Sequence, residues 1–226
     1  MNWMKKVAVA LVCLLPLGLQ AAKVDTLQVK SPSMNKSIEV VVVSPDVAAT
    51  KACPVIYLLH GYGGNARTWV GIKPDLSKIA DEKGIFFVCP DGKNTWYWDS
   101  PLNADVRYET FISDELVKYV DSHYKTVADR KGRAITGLSM GGHGAMWNGL
   151  RHSDVFSAAG STSGGVDIRP FPKNWEMSVQ IGEKAKYPEN WEKYTVINLV
   201  PTLRKDQIAL IFDCGDSDFF LEVNKN

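Results

Sequence analysis

Gly137-Leu138-Ser139-Met140-Gly141 sets one hydroxyl between two glycines, each two residues away from it. The β-prone Ala134-Ile135-Thr136 precedes this run, and the small residues Gly142-His143-Gly144-Ala145 follow it. Strand, sharp turn and helix in that order hold a serine in a strained nucleophile elbow, and the glycines admit the close backbone approach that such a turn demands. The chemistry it suits is attack on an acyl carbon; a Gly-rich turn without chemistry is the blander reading, and the strand and helix flanks argue against it. A second signal lies upstream, where the apolar Val55–Leu59 runs into His60-Gly61-Tyr62-Gly63-Gly64-Asn65. An oxyanion formed in acyl transfer needs two N–H donors, one from the residue after the nucleophile and one from a loop after an early strand. Met140 and Tyr62 are the matching candidates. His60, at a strand end beside that loop, reads as structural rather than as a base. For the acid, Ile208–Asp213 leads into Cys214-Gly215-Asp216-Ser217-Asp218, and Asp213, Asp216 and Asp218 compete. Asp216 suits a backbone-bonding turn, while Asp218 lies far enough along the loop to reach a histidine. Trp96 and Trp98 follow Pro90-Asp91-Gly92, near the strand ends where parallel sheets bind ligands. They are expected to stack on a sugar or an aromatic acyl group, with packing as the equal alternative.

These residues need a scaffold, and apolar β-branched runs separated by helical stretches supply one: a mostly parallel sheet with helices on both faces. Strands are expected at Val24–Val29, Ser37–Val43, Val55–His60, Ile85–Cys89, Ala134–Leu138, Phe156–Gly160 and Ile208–Asp213. Lys73–Lys83 reads as a short helix. Arg107–Tyr124 is a better one, because Phe111, Ile112, Leu116, Tyr119 and Val120 recur at helical spacing. A third helix should run from Met140 to about Arg151. From Gly164 to Lys205 the pattern loosens around four prolines and the aromatics Phe171, Trp175, Tyr187, Trp191 and Tyr194, which reads as an insertion over the sheet.

Together these residues resemble the esterase D-like branch of the α/β-hydrolases, which includes S-formylglutathione hydrolases, tributyrin esterases, feruloyl and acetylxylan esterases and the antigen 85 mycolyltransferases. The resemblance is carried by His60–Gly64, Pro90-Asp91-Gly92 with Trp96 and Ser100, Tyr108–Ile112, Gly137–Ala145, and Asp213-Cys214-Gly215 through Asp218. It implies an α/β-hydrolase fold, Ser139 as nucleophile, Asp218 as the acid, and the Tyr62 and Met140 amides as the oxyanion hole. It also implies hydrolysis of carboxylic esters through an acyl-enzyme, on feruloyl or acetyl groups of plant polysaccharide fragments or on other short-chain esters. Acyl transfer to an alcohol, or a non-catalytic binding module, are the alternatives. One departure is plain: the family's histidine follows the last strand, beyond the acid, whereas His60, His123, His143 and His152 all precede Asp218. The last strand and the histidine loop are therefore expected to be missing. The reading frame should continue for roughly 40–60 residues, and the chain as given should be inactive.

The chain of 226 residues is 45% hydrophobic and 23% charged, the balance of a globular protein with one sizeable core. Its 26 basic and 25 acidic residues leave no excess to neutralise phosphates, which argues against a nucleic-acid partner. Lys5 and Lys6, the apolar Val7–Leu19 and the small Ala21-Ala22 read as a signal peptide over residues 1–22 ahead of a hydrolase domain at 23–226. The apolar run falls short of the roughly 20 residues of a spanning helix, so a secreted or periplasmic protein without stable membrane insertion is expected. Removal of the leader leaves Cys53, Cys89 and Cys214, an odd set read as small buried hydrophobes. No His or Cys pair has metal-ligand spacing, and no cofactor is implied.

Overall fold

The computed structural model describes residues 22–225, so all of the expected leader except Ala22 lies outside the described residues. Seven apolar runs become strands: β1 (Lys23–Ser31), β2 (Lys36–Ser44), β3 (Val55–Leu59), β4 (Phe86–Pro90), β5 (Arg133–Leu138), β6 (Ala158–Thr162) and β7 (Ala209–Asp213). They form a single sheet in the order β1-β2-β4-β3-β5-β6-β7. The β1–β2 and β2–β4 pairs are antiparallel, and the rest are parallel. The strand expected at Phe156–Gly160 lies two residues further on. Val155 and Phe156 still donate to the His152 carbonyl as the chain leaves the preceding helix, so pairing starts only at Ala158 opposite Ala134.

Successive strand residues face opposite sides, so each central strand feeds two cores. Val40 and Val42 of β2 and Phe86 and Val88 of β4 enter one; Val41, Val43, Phe87 and Cys89 enter the other. Helices cover both faces. After the short α1 (Thr68–Ile72), α2 (Leu76–Lys83) closes the smaller core with Leu76 and Ala80, and Gly84 ends it at φ 63°, the left-handed cap that a glycine adopts freely. On the larger core, the helix expected over 107–124 is broken into α3 (Tyr108–Thr110), a π-helical turn (Phe111–Glu115) and α4 (Leu116–His123). Its inward residues Phe111, Ile112, Leu116 and Val120 are those that the helical spacing selects. α5 (Met140–Arg151) is buried from Met140 to Leu150. Each large side chain so buried stabilises the fold by about 1.5–3 kcal/mol.

Between β6 and β7 the loose segment holds α6 (Met177–Ile181), α7 (Pro188–Lys193) and a 3-10 turn at Val196–Thr202. Most of its aromatics pack inward: Trp191 is buried, and Tyr194 stacks on Trp147 and meets Trp98 edge-on. β7 is the outermost strand, and Leu210, Ile211 and Phe212 are exposed, Ile211 to 72%. Cys53, Cys89 and Cys214 are free thiols; the first two are buried and the third is half-buried. No helix among the described residues is long and apolar enough to cross a membrane.

Candidate active site

Because β3, β5 and β7 are parallel, their C-terminal ends bring three loops to one edge of the sheet. The middle loop is a single residue: β5 ends at Leu138, α5 starts at Met140, and Ser139 turns the chain between them at φ 55° and ψ −117°. A positive φ in a non-glycine residue costs about 1–3 kcal/mol and persists only where its surroundings enforce it. The enforcement is visible. A Cβ on Gly137 would lie 2.2 Å from the Gly141 carbonyl oxygen, and one on Gly141 would lie 2.2 Å from that of Leu59. The Ser139 N–H donates to Thr162 on β6 at 2.9 Å, which ties the turn to the sheet. Met140 is the first residue of α5, so its N–H has no acceptor within the helix and sits at the positive end of the dipole.

The loop after β3 lies against the serine, since a Cβ on Gly61 would be 3.5 Å from the Ser139 Cβ. His60 organises this loop. Gly92 N–H donates to its Nε2 at 2.9 Å, which leaves the proton on Nδ1, and Nδ1 donates to the Gly61 carbonyl at 2.7 Å. Gly64 N–H donates to that carbonyl at 3.0 Å. In a planar trans peptide the carbonyl and the next N–H point opposite ways. Pinning the Gly61 oxygen therefore sets the direction of the Tyr62 N–H. Tyr62 is 38% exposed, and its phenol is pushed up by partial burial and by the neighbouring Glu176 carboxylate.

In the loop after β7 the three aspartates separate. Asp213 accepts from the Thr162 hydroxyl through Oδ2 at 3.1 Å and from Ser163 N–H through its carbonyl at 2.9 Å, so it belongs to the sheet edge. Asp216 is exposed, and among the described residues its side chain meets only Ser217, at 3.3 Å. Half-buried Asp218 accepts from Phe220 N–H through Oδ1 at 2.7 Å, and among the described residues Oδ2 has no protein partner. The family model described as Esterase matches residues 31–226.

The chain belongs to this esterase family. It is similar to an esterase of Mycobacterium tuberculosis, 31% identical over 149 residues, which make up 63% of this chain and 32% of that protein. The chain thus spans about a third of the length of that relative. An acetyl esterase of Caldicellulosiruptor saccharolyticus is 25% identical over 189 residues, 76% of this chain and 68% of that protein. A solved ferulic acid esterase superposes with a TM-score of 0.73 at 30% identity, covering 91% of this chain and 84% of that one. The architecture of this chain is accordingly the α/β-hydrolase fold.

None of its four histidines is placed to serve the serine. His60 is held as described; buried His143 donates from Nδ1 to the Gly165 carbonyl at 2.8 Å and accepts at Nε2 from the Trp98 indole at 3.1 Å. Burial lowers the His143 pKa to about 4, against a weaker raising effect of the Gly165 hydrogen bond, so it is neutral at pH 7. His123 stacks on Tyr119 and meets its carbonyl at 2.8 Å. His152 meets Glu109 at 2.8 Å. Burial would raise the Glu109 carboxyl, but hydrogen bonds from His152, Arg151 and Trp147 hold it below its ordinary value. That places Glu109, from the Tyr108–Ile112 motif, in the scaffold.

Trp96 and Trp98 are not at the surface. They are 1% and 0% exposed, stack on each other at 5.5 Å and meet His143 edge-on. A stacking platform needs an open ring face, and neither has one, so packing replaces the ligand role expected for them. The aromatics that do reach the surface here are Tyr62, Phe219 and the half-buried Trp175, which stacks on Phe219 at 5.4 Å. The spacing rules passed over Asn94 and Glu176. They lie 82 residues apart and meet at 3.3 Å, a pairing that no local pattern announces.

Proposed function

We propose that the protein is a serine carboxylic ester hydrolase working through an acyl-enzyme on Ser139. The observation that carries this reading is the left-handed Ser139, enforced by two glycines that cannot bear a side chain. In the reaction the Ser139 Oγ attacks the carbonyl carbon and yields its proton to a base. The carbonyl oxygen takes the negative charge and accepts from the Tyr62 and Met140 N–H groups. The C–O bond to the leaving alcohol then breaks, the base returns its proton to that alcohol, and water repeats the attack on the acyl-enzyme. Asp218 orients the base through its free oxygen. Because the four histidines are engaged elsewhere, the reading assigns the base's role to none of them.

For substrates, the likeness to a ferulic acid esterase and an acetyl esterase supports feruloyl and acetyl esters of plant polysaccharide fragments. The leader-like N-terminus supports a secreted or periplasmic site of action. The test is a comparison of kcat/KM in the full-length protein on feruloylated or acetylated xylo-oligosaccharides and on an acyl thioester. Higher values on the sugar esters are expected; a preference for the thioester would overturn the substrate class.

A further inference from the structure

The loop that carries Tyr62 contains Gly61, Gly63 and Gly64, a composition with little torsional stiffness of its own. Yet both peptides flanking Tyr62 are held. Upstream, His60 and Gly64 pin the Gly61 carbonyl. Downstream, Gly63, at φ 77°, donates its N–H to Asn94 Oδ1 at 2.9 Å. The other end of that side chain, Nδ2, donates to Glu176 Oε2 at 3.3 Å, so Asn94 bridges Gly63 and Glu176.

Glu176 reaches the loop from a strained step in the insertion. It and Trp175 stand consecutively in the left-handed region, at φ 53° and 47°, and each such residue costs about 1–3 kcal/mol. Strain of this kind needs fixing from outside. The buried Trp96 indole donates to the Trp175 carbonyl at 3.1 Å, which gives that tryptophan a use its burial would otherwise hide. The Trp175 ring stacks on Phe219, the residue after Asp218. One two-residue step thus reaches the oxyanion loop through Asn94 with its second side chain and the acid's loop with its first.

We propose that Asn94 and Glu176 are positioning residues for the oxyanion hole, and that Trp175–Glu176 is a strut tying the Tyr62 loop to the Asp218 loop. The proposal rests on reading the Tyr62 N–H as an oxyanion donor. Without Asn94 or Glu176 the Tyr62 peptides gain freedom, the donor loses its aim, and the loss falls on the transition state rather than on substrate binding.

The experiment uses the full-length protein carrying Asn94→Ala, Glu176→Ala, Glu176→Gln or Ser139→Ala, with steady-state kinetics on an aryl acetate and hydrogen exchange at the Gly63 amide. The two first variants should lose about tenfold in kcat with KM little changed, less than the roughly 100-fold that follows outright loss of a donor. Glu176→Gln should restore most of the rate, because its amide oxygen still accepts from Asn94. Gly63 exchange should be faster in Asn94→Ala. Unchanged Gly63 exchange overturns the strut, as does faster exchange with unaltered kcat, or a kcat loss that moves in step with KM. Should the parent protein lack hydrolysis, or Ser139→Ala retain it, the esterase reading fails instead, and the Gly63 exchange alone then decides for or against the strut.

Discussion

Ser139 and the two tryptophans beside the site differ in how far their roles could be read from spacing. The serine's role follows from local chemistry, since glycines at two before and two after meet a steric need set within five residues. Trp96 and Trp98 take their place from long-range contacts: His143 lies 45 residues beyond Trp98 and Trp175 lies 79 beyond Trp96. The same loop sequence would suit an exposed platform or a buried stack. Trp98→Phe should leave His143 Nε2 without its donor and lower stability by about 1–3 kcal/mol, read as a fall in Tm. The ratio of KM for a xylo-oligosaccharide ester to KM for an aryl acetate should not change, and a selective rise on the sugar ester would restore the ligand role. His143 also makes a pH prediction. Its folded pKa, about 4, lies below the ordinary 6.5, so its stabilising contribution is complete above pH 6.5. As pH falls from there towards 4 the unfolded chain protonates first, and up to about 3 kcal/mol is lost. Unfolding titrations between those limits should show this slope in the parent protein and not in His143→Gln.

At the level of elements, the seven strands and the helix leaving the elbow were legible because their apolar periodicity reflects burial on one or two faces. The two-residue shift of β6 was not, because it depends on where α5 releases the chain through the His152 carbonyl. Nor was the π-helical turn at Phe111–Glu115 visible, as it keeps the inward face that an uninterrupted helix would have. The β5–Ser139–α5 junction has the least tolerance. Gly137→Ala would force a Cβ to 2.2 Å from backbone rather than from a yielding side chain. We expect a loss of about 3 kcal/mol or more in denaturant unfolding, since backbone must move to admit it. A loss under about 1 kcal/mol would show that the elbow is looser than its geometry implies.

At the scale of the whole sheet, its two edge strands differ in chemistry. β1 carries polar residues such as Lys23, Asp25, Gln28 and Lys30 along its length, whereas β7 presents the apolar Leu210, Ile211 and Phe212 to solvent. An exposed apolar outer strand invites pairing with another chain. Ile211→Lys in the 226-residue chain should therefore reduce self-association in sedimentation velocity, and an unchanged distribution would show that β7 is not the adhesive surface. The catalytic account depends on one atom of this molecule, the Ser139 Oγ. The most direct measurement is hydrolysis of a short-chain aryl ester by the full-length protein and by its Ser139→Ala variant, with folding checked by circular dichroism and the acylated peptide sought by mass spectrometry. The account predicts an acyl group on the Ser139 peptide of the parent protein and no hydrolysis by a folded Ser139→Ala. Hydrolysis near the parental rate by that variant, or an acyl group found on another residue, would contradict it.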